Sequence, residues 1–112
     1  MSTVIRTVGF RTEADNNTPV LMGNATTQPW THISVNFYDE NEVPVTDVTG
    51  VMSGEARVGD ADKYIPFADT LDLAAGDRSW KPELGIVIDF KIAVTGLNPG
   101  YKYKLRFDKW GI

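Results

Sequence analysis

The chain has 112 residues, the length of one ordinary domain, and a domain of this size can bury roughly 65% of the surface that its unfolded chain exposes. It has no cysteine, so disulfides, thiolate metal sites and cysteine nucleophiles are excluded. The net charge of −4 argues against a surface that gathers nucleic-acid phosphates.

The start of the chain, Met1 to Arg6, has no basic segment followed by a long apolar run. No stretch approaches the roughly 20 apolar residues that a membrane-spanning helix needs. We therefore expect no targeting segment, no membrane partner and no nucleic-acid partner.

The first predicted strand covers Val4 to Phe10, and a short candidate strand covers Pro19 to Met22. Residues 11–31 around the second strand are rich in Thr, Asn and Gln and contain Pro29 as a further breaker. We interpret 11–31 as a long irregular loop or arm of a single domain that spans residues 1–112.

The segment from Ile33 to Tyr38 alternates apolar and polar side chains. Ile33, Val35 and Phe37 point to one side of a predicted strand, because successive side chains of a strand point to opposite faces. Asp39 to Glu42 then supplies a polar turn.

Three weaker strands are predicted next, at Val43 to Val45, Val51 to Val58 and Tyr64 to Phe67. They are separated by turn-forming residues. Asp69 to Ala75 offers one candidate helical turn.

The clearest core strand runs from Ile86 to Val94, where every second side chain is large and apolar. After a turn, the segment from Tyr101 to Asp108 alternates aromatic or aliphatic residues with charged ones. About seven short strands and no helical periodicity predict an all-β, antiparallel two-sheet sandwich of the jelly-roll or immunoglobulin-like kind.

His32 is the only histidine, and it precedes a strand in a register that faces solvent. A Ser-His-Asp arrangement would need it, yet no Gly-x-Ser-x-Gly elbow accompanies it. We interpret His32 as a surface residue and do not expect an enzyme.

The acidic residues at 60 and 62, and at 69, 72 and 77, do not follow the spacing of a calcium-binding loop. Solvated acidic loops are the simpler interpretation. No glycine-rich phosphate-binding motif is present either, so no metal and no cofactor is expected.

Three tryptophans lie within two residues of a proline or near a chain end: Trp30, Trp80 and Trp110. Such residues anchor many protein interfaces, and core packing is the alternative. Lys102, Lys104 and Arg106 line the exposed side of the last strand, where they contact an acidic neighbouring subunit or a nucleic-acid backbone, or are simply solvated. All six residues are candidate interface residues.

The segment Leu97-Asn98-Pro99-Gly100-Tyr101-Lys102-Tyr103 resembles the Leu-x-Pro-Gly-x-x-Tyr corner of fibronectin type III and related sandwiches. The resemblance implies a structural corner made by Leu97, Pro99, Gly100 and Tyr103. It also implies that the Tyr103 hydroxyl bonds to the upstream backbone. It indicates architecture and does not specify a function.

Over its whole length the chain also resembles the small decoration or staple proteins on the heads of epsilon-fifteen-like short-tailed phages. The similarity lies in the polar early region, the segment Val35 to Asp39, the segment Gly50 to Val58 and the tyrosine-rich last strand. It implies a structural protein of a bacteriophage virion, located on the capsid surface and assembled in the host cytoplasm. Such a protein binds and clamps neighbouring major capsid protein subunits, and it can form a homodimer across a two-fold axis.

Two other functions stay open from the sequence. A carbohydrate-binding β-sandwich on a virion or cell surface would need two exposed aromatic rings that form a flat platform. An enzyme would need a pocket that joins His32 to an acidic residue. For the arm at 11–31 and for Trp110, we expect a role in contacts with a partner.

Overall fold

A computed structural model describes residues 3–12, 16, 20–21, 30–58, 63–81 and 87–111. These residues form strands and turns, with no helix among them. The strands are β1 (Thr3–Thr12), β2 (Val20–Leu21), β3 (Trp30–Tyr38), β4 (Pro44–Val45), β5 (Val51–Val58), β6 (Tyr64–Pro66), β7 (Leu71–Asp72), β8 (Ser79–Trp80), β9 (Val87–Thr95) and β10 (Lys102–Gly111). Within the described part, no helix is long and apolar enough to cross a membrane.

The strands form two antiparallel sheets. Sheet I has the order β1-β10-β3, and both β4 and β8 pair with the remaining edge of β3. Sheet II has the order β2-β9-β5, and both β6 and β7 pair with the remaining edge of β5. The two sheets pack together, which confirms the predicted all-β, two-sheet sandwich.

The inner face of sheet I follows from the alternation in the sequence. Every second residue is buried from Ile33 to Phe37 in β3 and from Tyr103 to Phe107 in β10, and the buried residues lie opposite each other across the two strands. The pairs are Tyr103 with Phe37, Leu105 with Val35, and Phe107 with Ile33. Each large buried side chain contributes roughly 1.5–3 kcal/mol relative to its exposed state.

Sheet II supplies the facing half of the core through β5 and β9. Phe90, Ile92 and Val94 are buried on β9, as the sequence predicted, and Met52 and Ala56 are buried beside them on β5. The predicted neighbours Ile86 and Ile88 belong to positions whose side chains are outside the described residues.

Aromatic rings join the two sheets across the core. The rings of Phe90 in sheet II and Phe107 in sheet I stack with centroids 5.1 Å apart. Phe67 packs edge-on against both Phe90 and Trp80, at centroid distances of 6.0 and 5.3 Å. The ring of Phe67 occupies the space beside Gly54, where an added Cβ would lie 2.5 Å from it.

The polar turn predicted after β3 is present. The Asp39 carboxylate accepts hydrogen bonds from the backbone N–H groups of Asn41 and Val43, at 2.8 and 3.0 Å. An aspartate that bonds the backbone of the residues following it is a common way to fix a tight turn.

One sequence prediction needs correction in the segment between β6 and β8. The candidate helical turn at 69–75 is instead the two-residue strand β7 followed by a tight turn, in which the Asp77 carboxylate accepts a bond from the N–H of Asp72 at 3.0 Å. The strand β7 pairs with the long strand β5, and its two residues are too few to show an alternation in the sequence.

The arm predicted at 11–31 is described only in part. Residues 11–12 end β1, residues 20–21 form β2, and residues 30–31 begin β3. Asn16 bonds to β9 through its side chain. Positions 13–15, 17–19 and 22–29 lie outside the described residues, so the rest of the prediction stays untested.

Candidate functional site

The outer face of sheet I carries the predicted basic residues. Lys102, Lys104 and Arg106 alternate along β10 with the buried Tyr103 and Leu105, so all three cations point away from the core. Their side chains are half-buried against the neighbouring strands. The sequence therefore placed these three residues on the correct face.

Lys104 lies between two aromatic rings that come from the strands on either side. Its Nζ is 4.0 Å from the centroid of the Phe10 ring and 5.4 Å from that of Tyr38. The two rings are 5.4 Å apart and meet edge to face at 71°. We call Phe10, Tyr38 and Lys104 the Lys104 cluster.

The Lys104 cluster combines exposed apolar surface with positive charge. Phe10 is 45% exposed, which is high for a phenylalanine, and its ring lies beside the lysine ammonium. A cation near an aromatic face at an exposed site contributes about 0.5–1 kcal/mol. The arrangement holds the lysine in place while leaving ring surface open to a partner.

Arg106 lies next along the same face and contacts an acidic residue. Its Nε donates to the Asp108 carboxylate, at 3.3 and 3.4 Å from the two oxygens. His32 Nδ1 lies 3.6 Å from the same carboxylate, whose side chain is only 12% exposed. The Asp108 carboxylate therefore offsets the charge of Arg106. The remaining positive charge on the outer face of β10 lies on Lys102 and Lys104.

The contact between His32 and Asp108 lies on the outer face of sheet I, where the His32 side chain is 36% exposed. A cleft of about 590 Å³ is lined by residues from 69–71 and 77–81, and another of about 290 Å³ by residues of β5, β6 and β9 together with Asn16. Neither cleft includes His32. Catalysis by this histidine would need a pocket around it, and neither of these two clefts provides one.

The structural corner lies at the other end of β10. Leu97 is buried, and Pro99 and Gly100 are exposed in the turn that leads into the strand. Gly100 has φ of +81°, a conformation that favours glycine. Its Cα faces Glu40, because an added Cβ would lie 2.7 Å from Glu40 Oε1.

Tyr103 is fully buried, and its hydroxyl has a partner that the sequence resemblance did not suggest. The hydroxyl donates to Asn16 Oδ1 at 2.9 Å, and the bond to the upstream backbone that the resemblance implied stays a prediction. Asn16 in turn accepts from the N–H of Val94 at 3.2 Å and donates to the Val94 carbonyl at 2.6 Å. The tyrosine of sheet I is thus linked through one side chain to the backbone of β9 in sheet II.

The loops 46–50 and 96–101 are joined beside this corner, which the sequence did not reveal. Thr49 N–H donates to Asn98 Oδ1 at 2.8 Å, and Asn98 Nδ2 donates to the Asp47 carbonyl at 3.1 Å. The Tyr101 hydroxyl donates to Asp47 Oδ1 at 2.9 Å. This bond to a carboxylate is the main cause that raises the pKa of Tyr101 above its ordinary value of 10.0.

The Tyr101 contact predicts an alkaline transition. Because its pKa is higher in the folded chain than in the unfolded chain, the contribution of this bond to stability is complete below about pH 10 and is lost as the pH rises through the folded-state value. An absorbance titration of tyrosinate should show a component above pH 10 that Tyr101→Phe removes. Asp47→Asn should move that component to lower pH, and an unchanged curve in Tyr101→Phe would contradict the assignment.

The three tryptophans have different outcomes. Trp80 is only 6% exposed, its ring packs on Phe67, and its indole N–H donates to the Asp69 carbonyl at 3.0 Å. It is a core residue, so its assignment as an interface residue was wrong. The side chains of Trp30 and Trp110 lie outside the described residues, and their interface role stays a prediction.

The acidic residues show no arrangement typical of a metal site within the described part of the chain, where no group of three or more potential ligands occurs. Asp72 and Asp77 instead bond to the backbone of their own turn. Positions 60 and 62 are outside the described residues.

Comparisons with known proteins add no family. No protein-family model, no curated protein and no solved structure matches the chain. The resemblances to phage decoration proteins and to fibronectin type III sandwiches therefore stay predictions from the sequence.

Proposed function

We propose that this chain is a structural protein of a virion that binds and clamps neighbouring capsid subunits on the outside of the shell. The Lys104 cluster, in which Phe10 is 45% exposed on the outer face of sheet I, supports the proposal that the chain binds a protein. The capsid as partner comes from the sequence resemblance alone.

The outer face of sheet I suits a protein partner in its composition. Protein interfaces are enriched in aromatic residues and arginine, and a few such residues near the centre provide most of the binding energy. The face presents Phe10, Tyr38, Lys104 and Arg106 from three adjacent strands. Paired strands hold these side chains in fixed positions, which lowers the entropic cost of binding.

The size of the chain also suits this role. The molecule measures 38 × 31 × 22 Å along its principal axes. Its broad faces can thus supply the roughly 800 Å² that each partner buries in a stable interface. A rigid sandwich of this shape can lie across the seam between two subunits and contact both.

Carbohydrate binding, the alternative function from the sequence, has less support from the arrangement of the aromatic rings. A sugar ring stacks on flat aromatic surfaces, and two coplanar rings would form a platform for it. Phe10 and Tyr38 meet at 71°, and Lys104 lies over both rings. Among the described aromatic residues this pair does not form a flat platform, so we retain protein binding as the proposal.

A density gradient of the native source lysate tests the proposal. Mass spectrometry should find this chain in the fractions that hold very large particles, in a constant ratio to a capsid protein. Sedimentation only at the top of the gradient, as a small species, would overturn the capsid role.

A further inference from the structure

The charges of the chain are distributed unevenly over its surface. The chain as a whole is acidic, with a net charge of −4. Along the outer face of β10, however, the outward positions are Lys102, Lys104, Arg106 and Asp108, and the neighbouring outward positions of β3 are polar or aromatic. Among these described positions of β3 and β10, Asp108 is the one carboxylate, and it contacts Arg106 and His32.

An acidic protein that carries three cations along one strand of an outer face has a local surface that attracts negative charge. Complementary charge across an interface speeds association and selects the partner, and it contributes to specificity more than to affinity. The apolar rings beside Lys104 add contact area next to the charge. The matching partner surface therefore carries carboxylates next to apolar side chains.

The same geometry argues for a protein partner and against nucleic acid. Single-stranded nucleic acids bind where bases stack on open aromatic faces along a continuous basic groove. Here the two rings are edge to face and the lysine ammonium lies over them. Arg106 already contacts Asp108, so the positive charge of the face lies on Lys102 and Lys104 and does not continue along the strand as a basic track for a phosphate backbone.

We infer that the outer face of sheet I, centred on Lys102 and the Lys104 cluster, binds an acidic segment or patch of its protein partner. This inference rests on the proposed function, and it adds the chemistry of the partner surface. It depends on protein binding by this face and is independent of whether the partner is a capsid subunit.

A titration of the isotope-labelled chain with a short poly-L-glutamate peptide, followed by backbone NMR at low salt, tests the inference. We expect saturable shift changes at residues 102–106, Phe10 and Tyr38. The variant Lys102→Glu/Lys104→Glu should bind about tenfold more weakly, because two exposed attractions become repulsions. The variant Lys104→Met keeps the aliphatic contact with the rings and should also weaken binding.

The matched control is Lys63→Glu/Lys91→Glu, which makes the same change of four charge units on sheet II, at Lys63 just before β6 and at Lys91 on β9, whose Nζ lies 4.3 Å from the centroid of the Tyr64 ring. Binding of this control should equal that of the unchanged chain, and thermal unfolding should show that all variants are folded. Equal weakening in the control would mean that only net charge matters and would overturn the inference. Equally tight binding of inorganic polyphosphate, or no shift changes on the face, would overturn it as well.

These outcomes are separate from the test of the proposed function. If the chain sediments with large particles but does not bind the peptide, the result supports the proposed function and contradicts the inference of an acidic partner surface. A chain that binds the peptide through this face but stays at the top of the gradient retains the acidic partner and loses the capsid role.

Discussion

Gly50→Ala is expected to lower the free energy of unfolding by about 2–6 kcal/mol, since backbone strain and overpacking each cost about 1–3 kcal/mol. Gly50 has φ of +106°, where residues with a side chain are strained. An added Cβ would lie 2.4 Å from the Thr95 carbonyl oxygen and 2.8 Å from the carbonyl carbon of Gly96. These neighbours are backbone atoms, so they cannot move aside without displacing the end of β9.

The control for this prediction is Gly76→Ala. Gly76 has a similar φ of +98°, but nothing lies within 4 Å of the position that its Cβ would take. The control should therefore lose only the conformational part, about 1–2 kcal/mol. Urea unfolding curves of both variants measure the difference. Equal losses in the two variants would contradict the close approach between Gly50 and the end of β9.

Asn16→Ala is expected to lower the free energy of unfolding by about 2–4 kcal/mol, because each buried group left without its partner costs about 1–3 kcal/mol. The substitution removes the amide that bonds both the N–H and the carbonyl of Val94, and it removes the acceptor of the Tyr103 hydroxyl. Tyr103 is fully buried, so water does not readily replace Asn16 at that hydroxyl.

Two further variants make the test of Asn16 specific. Tyr103→Phe keeps the two bonds between Asn16 and Val94, so its loss should be smaller, about 1 kcal/mol. A double-mutant cycle with Asn16→Ala should give a clear coupling energy. Asn41→Ala, at an exposed turn position whose bond to Asp39 uses the backbone, should change stability little. A loss in Asn16→Ala no larger than in Asn41→Ala would contradict the network.

The core faces of the long strands could be predicted because alternation is a local property of the sequence. The apolar residues of β3, β9 and β10 with described side chains are buried as the pattern indicated, and β5 has the predicted bounds. The strands β7 and β8 were missed because, unlike the equally short β2 and β4, neither contains a β-branched residue that would mark a strand, and each depends on pairing with a long neighbour. The burial of Trp80 was not predicted because it follows from packing against Phe67, a contact that no local sequence pattern indicates.

The sequence predicted the cations of the candidate site and did not predict their contacts. The alternation along β10 put Lys102, Lys104 and Arg106 on one outer face, which the structure also shows. The contact of Lys104 with Phe10 depends on the pairing of β1 with β10, and no local pattern specifies which residues of two distant strands lie opposite each other. The bond between Asn16 and Tyr103 joins positions 87 residues apart and has no local signal either.

The central claim is that the outer face of sheet I binds large particles, and a sedimentation assay with matched variants tests it most directly. Purified chain is added to particles from the source, and the bound chain is measured against capsid protein in the pellet. The face variant is Phe10→Ser/Lys104→Ser. The control is Ile65→Ser/Lys63→Ser, which removes an equally exposed hydrophobic residue, 49% exposed, and a lysine near β6.

We expect the unchanged chain and the control to bind in the same constant ratio to capsid protein. The face variant should bind about thirtyfold more weakly, the effect of losing roughly 2 kcal/mol at an interface hot spot. Binding of the face variant at the level of the control would contradict the assignment of this face, and failure of the unchanged chain to sediment with the particles would contradict the capsid role.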